Sequence, residues 1–211
     1  MKQLLTVLSA ALWAASSLPA QTLRITSPAD GTVVKPGETL AVTVAASGAP
    51  FRVVVLVGYD PIGTMMPLMA PPYRFSVPIP STIRPGRYLL TAIGSVRPDE
   101  DHNVQSDPVS IDVERPDAPV SIRTEPSSLS LEVGGPGYLR LVATYADSSE
   151  VDIGRSTLTA CTSDSPDVAT TTNDGRVVAT GAGSAKITVE NGGQTAIVPV
   201  TVTARRPAPR P

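Results

Sequence analysis

The side chains best suited to catalysis are scarce in this sequence. Among 211 residues there is one histidine, His102, and one cysteine, Cys161, beside 19 carboxylates. No G-x-S-x-G elbow, H-E-x-x-H pair, phosphate-binding loop or paired-cysteine pattern occurs. Two carboxylates alone can hydrolyse a glycoside, but no acidic residue here stands out by its position. His102 belongs to Asp99-Glu100-Asp101-His102-Asn103, a loop whose oxygens could hold calcium. Its spacing matches no defined calcium loop, and a solvated turn between two strands accounts for it. The patch Asp147, Glu150 and Asp152 reads the same way. We therefore expect no enzyme, no cofactor and no metal ligands.

Two further features carry chemistry of a softer kind. Cys161 has no second cysteine to pair with, and its place in a strand suits a buried, inert thiol; a reactive or intermolecular thiol is the alternative. From Pro61 to Pro72, Met65, Met66, Leu68 and Met69 alternate with prolines on a loop or edge connection. Methionine adapts to varied surfaces, so this loop is a candidate partner-binding site. The alternative, which loose apolar loops more often follow, is that it folds back to cap an open end of its domain or packs on the second domain.

These residues must be held by something, and the pattern around them is all-β. Leu40, Val42 and Val44 alternate with Ala41, Thr43 and Ala45, as a half-buried strand requires. Tyr73, Phe75, Val77 and Ile79 repeat the alternation, then Tyr88, Leu90 and Ala92, then Val109, Ile111 and Val113. Phe51 to Val57 is apolar on both faces apart from Arg52, which suggests a more deeply covered strand. Asp30-Gly31, Pro36-Gly37, Asp60-Pro61 and Pro85-Gly86 supply turns, since proline presets φ and glycine permits positive φ.

After Glu114 to Pro119 (ERPDAP), which has prolines, charges and no strand character, the grammar restarts. Leu139, Leu141, Ala143 and Tyr145 alternate, as do Ala185, Ile187 and Val189, and Ala196, Val198, Val200 and Val202. Asn173-Asp174-Gly175 and Asn191-Gly192-Gly193 are hairpin signals. The expected fold is two immunoglobulin-like antiparallel β-sandwiches in tandem, at 22–114 and 120–203. A linker at 115–119 joins them, and a Pro/Arg-rich tail follows at 204–211.

The first twenty residues differ from all the rest. Lys2 gives a small positive start, Leu4 to Ala15 is apolar apart from Thr6 and Ser9, and small or helix-breaking residues lead to Ala20. This is the layout of a secretory signal peptide cleaved near Ala20, too short to span a bilayer. An exported chain with one cysteine must hold its sandwiches together by packing alone. A net charge of -2 gives no electrostatic reason to expect nucleic acid.

The segment Thr159 to Val189 resembles the bacterial immunoglobulin-like domain of group 2. Ser163-Asp164-Ser165-Pro166, Val168-Ala169-Thr170, Asp174-Gly175, Gly181-Ala182-Gly183 and Ile187-Thr188-Val189 carry the likeness, which covers about 120–203. Cys161 departs from it, standing where the family usually has Trp or Tyr. The first half is similar to another immunoglobulin-like family of secreted multidomain bacterial proteins, through Ile25 to Val44, Pro71 to Val77, Pro85 to Ala92 and Ser106 to Val113. There Gly86-x-Tyr88-x-Leu90 resembles a tyrosine corner, with Leu90 at the usual cysteine position.

These resemblances imply a secreted, non-catalytic interaction or spacer protein. Its expected partner is an extracellular protein, as in cell-surface adhesion, or a glycan, as in an accessory module for polysaccharide degradation. A monomer without a membrane span in the mature chain is expected. Sugar platforms use aromatic rings, and beyond Trp13 in the leader only Tyr59, Tyr73, Tyr88, Tyr138 and Tyr145 are large candidates.

Overall fold

The computed structural model describes residues 21–48, 50–96 and 103–205. The expected leader, the acidic loop Asp99-Glu100-Asp101-His102 and tail residues 206–211 lie outside the described residues. Everything described is strand, turn or irregular chain, with no helix.

The first half forms β1 (Thr22–Ser27), β2 (Thr32–Val34), β3 (Thr39–Ser47), β4 (Val53–Gly58), β5 (Gly63–Thr64), β6 (Tyr73–Pro78), β7 (Gly86–Ser95), β8 (Asn103–Gln105) and β9 (Val109–Val113). One sheet has the order β1-β3-β6 and the other β2-β9-β7-β4-β5, with β8 paired to the far end of β7. The short β2 runs parallel to β9, whereas β3, β4 and β7 pair antiparallel with their neighbours. This strand order is that of an immunoglobulin-like sandwich. Alternation determines what lies between the sheets: Tyr73, Phe75 and Val77 are buried while Arg74 and Ser76 face out. Leu56, Leu90 and Ile111 are fully enclosed at the centre, each contributing about 2 kcal/mol of gross burial.

Two local expectations need correction. On β4 only one face is fully buried: Val54 and Leu56 are in the core, whereas Val53, Val55 and Val57 on the other face are half-covered. Pro85-Gly86 is not a free-standing turn, since Gly86 already opens β7, at φ +147°.

The second half forms β10 (Ser121–Glu125), β11 (Leu129–Glu132), β12 (Pro136–Tyr138), β13 (Arg140–Thr144), β14 (Glu150–Asp152), β15 (Ala160–Ser163), β16 (Ala169–Thr171), β17 (Arg176–Ala179), β18 (Gly183–Asn191) and β19 (Gln194–Thr203). Its sheets run β11-β19-β18-β15, β10-β13-β14 and β12-β17-β16. Again the parallel pair, β11 with β19, is the exception. The β18–β19 hairpin turns on Gly192 and Gly193, both at positive φ, with Asn191 opposite Gln194. Two separate cores result, one built from residues between Leu23 and Val113 and one from residues between Leu139 and Val202. The chain is thus two immunoglobulin-like β-sandwiches in tandem.

Candidate functional surfaces

The methionine loop is anchored by its backbone. A short hairpin pairs Val57 with Thr64 and Gly58 with Gly63, and Ile62 is buried beneath its turn. Beyond it the Met65 N–H donates to the Leu56 carbonyl at 2.8 Å. Val54 and Leu68 exchange both backbone bonds at 2.8 Å, so the loop lies along β4 as an irregular extra strand. Met65 and Leu68 consequently pack against the first core. Met66 and Met69 point outward, 82% and 76% exposed, as does Tyr59 at the hairpin turn. The loop therefore divides between two anchoring and two displayed apolar side chains. The anchors Met65 and Leu68 are three residues apart with the exposed Met66 and Pro67 between them, so the loop departs from the strict alternation of a regular strand.

The aromatic residues do not assemble. Tyr73 is in the core with its hydroxyl donating to the Phe51 carbonyl at 3.2 Å. Tyr88 and Tyr145 are buried too. The Tyr88 hydroxyl donates to the Arg84 carbonyl at 2.8 Å, which is the geometry of a tyrosine corner. Only Tyr59 and Tyr138 remain exposed, and they belong to different sandwiches. Tyr73 is thereby removed as a sugar-stacking candidate.

The acidic patch of the second sandwich is charge-balanced. Asp147 accepts from the Ser149 N–H at 2.9 Å and from its hydroxyl, which with Arg115 at 3.3 Å brings the carboxyl down to about 2. Glu150 meets Arg123 at 2.8 Å, and Asp152 lies 3.6 Å from Arg84 and 3.7 Å from Arg140. Among the described residues no group of three or more His, Cys, Asp or Glu is placed to hold a metal ion. Cys161 is 8% exposed and faces the second core; burial pushes its thiol up to about 11.

A cleft opens where the two sandwiches meet. It is lined by Arg84 and Pro85 from the first half, Arg140 and Asp152 from the second, and Arg115 and Asp117 from the chain between them. The Arg115 guanidinium lies 4.1 Å from the centre of the Tyr145 ring and is forked onto Asp117 through two bonds of 3.1 Å. Glu114, which heads the charged ERPDAP run, is buried at 6% exposure. Nothing in the sequence distinguishes it from the solvated charges beside it; the only hint is its position immediately after the apolar alternation of β9.

No protein-family model matches the chain, and no curated protein matches it. Solved structures similar to parts of it include the fibronectin(III)-like modules of Clostridium thermocellum CbhA, 18% identical over 44% of this chain and 94% of that one, at a TM-score of 0.37. Domains 4 and 5 of the S-layer protein SbsC are 20% identical over 72% of this chain and 77% of that one, at 0.36. The larger SbsC fragment of domains 1–6 is 16% identical over 90% of this chain but only 28% of its own length, at 0.38. These likenesses are too distant to carry function, and the immunoglobulin-like class rests on the strand order itself.

Proposed function

We propose that the chain is an exported, non-catalytic interaction or spacer protein that contacts a protein partner through Met66 and Met69. The observation that carries this reading is the pairing of exposure with a fixed backbone. Two large apolar side chains are displayed from a loop that β4 holds by strand-type hydrogen bonds. Such a surface loses little conformational freedom on binding. Export is supported by Lys2, the apolar run Leu4 to Ala15 and the small residues ending at Ala20. The residues from Ser163 to Val189 support membership of the group 2 bacterial immunoglobulin-like domains for the second sandwich, with Cys161 filling core space where that family has an aromatic ring. The separation of Tyr59 from Tyr138 speaks against an aromatic sugar platform.

The test is retention of cell-surface proteins and of insoluble polysaccharides by the immobilised chain from Gln21 to Pro211. A protein should be retained, with affinity about tenfold or more weaker for the Met66→Ser/Met69→Ser double variant and an unchanged unfolding midpoint. Retention on a polysaccharide alone, competed by its free sugar, would overturn the protein-partner reading in favour of an accessory carbohydrate module.

A further inference from the structure

We infer that the joint between the sandwiches is a locked elbow, with Glu114 as its latch. Glu114 follows directly on β9 of the first sandwich, and its N–H is still bound to the Val34 carbonyl at 3.0 Å. Its side chain reaches into the second. One carboxylate oxygen accepts from the Ser156 hydroxyl at 2.8 Å, and the other from the Thr157 N–H at 2.7 Å and the Thr157 hydroxyl at 3.1 Å. A carboxylate removed from water needs fixed donors, and these three are all on one loop of the opposite sandwich.

That loop is preorganised to receive it. Ser156 accepts from the Leu158 N–H at 3.1 Å and from the Asn191 amide at 3.3 Å. The same amide donates to the Thr159 hydroxyl at 2.9 Å, which donates to the Ile153 carbonyl at 2.8 Å. Ser156, Thr159 and Asn191 are buried, so the β18–β19 turn, the 153–159 loop and the latch form one polar network.

Steric contacts fix the angle around it. A Cβ on Gly86 would lie 2.7 Å from the Arg155 carbonyl oxygen, so the backbones of the two sandwiches touch there. The Arg155 guanidinium sits 5.3 Å from the centre of the Tyr88 ring. Gly192 has room for no side chain, because Pro119 occupies the space a Cβ would take. The end of the linker is thus packed down on the second sandwich, and a swivel would have to break the Gly86–Arg155 and Arg155–Tyr88 contacts together with the bonds of Glu114. Relative domain motion, the usual expectation for a short linker, is suppressed.

Residual dipolar couplings on the chain from Gln21 to Pro211 test this. One alignment tensor should fit both sandwiches of the parent chain. In Glu114→Ala two tensors should be required, each sandwich should still fit its own fold, and Thr157 amide exchange should accelerate about tenfold or more. Separate tensors in the parent chain would overturn the inference. So would a Glu114→Ala variant that keeps one tensor and a protected Thr157 amide. Should Glu114→Ala fail to fold, the tensor count of the parent chain decides alone.

Discussion

Cys161 shows how a residue with reactive potential is made inert by its place. Its thiol faces the second core opposite Val189, and its N–H is bound to the Asn173 side-chain oxygen at 3.0 Å. Burial disfavours the thiolate, raising the thiol from an ordinary 9.0 to about 11. Since the thiolate is the nucleophile, a shift of this size lowers its population at pH 8 roughly a hundredfold. Alkylation of the native chain by iodoacetamide at pH 8 should therefore be slower than in denaturant by about that factor. A native rate within about threefold of the denatured one would mean that the thiol is open to solvent. Arg87 and Asp112 illustrate the same dependence on place. They form a forked pair at 2.8 and 3.0 Å across neighbouring strands of the first sandwich, and this ties β7 to β9 where sequence alone offers only two more surface charges.

Strands, turns and loops differ in how openly the sequence announces them. Burial by alternate residues leaves a period of two, so Tyr73, Phe75 and Val77 on β6 or Val198, Val200 and Val202 on β19 are legible as inward faces. Hairpin glycines are legible as well, because glycine adopts the positive φ of Gly175, Gly192 and Gly193 at the least steric cost. What escapes is whatever depends on a distant partner. Half of the methionine loop is claimed by β4 through backbone bonds that no side-chain pattern encodes, and Glu114 is buried by a loop some 40 residues further along the chain. Gly175 permits a quantitative test at this scale. It combines φ +84° with a Cβ position blocked by the Leu139 carbonyl, whereas Gly193 has φ +83° and open space. Gly193→Ala should cost about 1 kcal/mol from backbone strain alone, and Gly175→Ala about 2–3 kcal/mol because a strand must also shift. Denaturant midpoints at constant slope measure both. Equal losses would show that the β16–β17 turn is not pressed against Leu139.

Across the whole molecule, two cores of modest size without any disulfide leave stability to packing and to surface electrostatics, and the latter is unevenly distributed. In the first sandwich, among the described residues, Asp30 is the carboxyl held low, chiefly by the Ser110 N–H. The joint has Asp117, lowered by Arg115. The second sandwich has four: Glu125 beneath Arg123 and Arg140, Asp147 by Ser149, Asp164 by the Lys186 N–H, and Asp174 by the Thr172 hydroxyl. Each is more acidic folded than unfolded, so each stabilises the fold fully above its ordinary value of 3.8, or 4.5 for Glu125. That contribution disappears as pH falls through the depressed values, about 2 in the case of Asp147. These groups lie at the surface, so salt screens them and each effect is small, but four on one sandwich act in the same direction. Native-state amide exchange reads the two sandwiches separately. Between pH 5 and pH 2.5, after correction for intrinsic rates, the opening free energy of β18 and β19 should fall further than that of β4 and β7. An equal or larger fall in the first sandwich would show that these surface carboxyls do not govern the acid response.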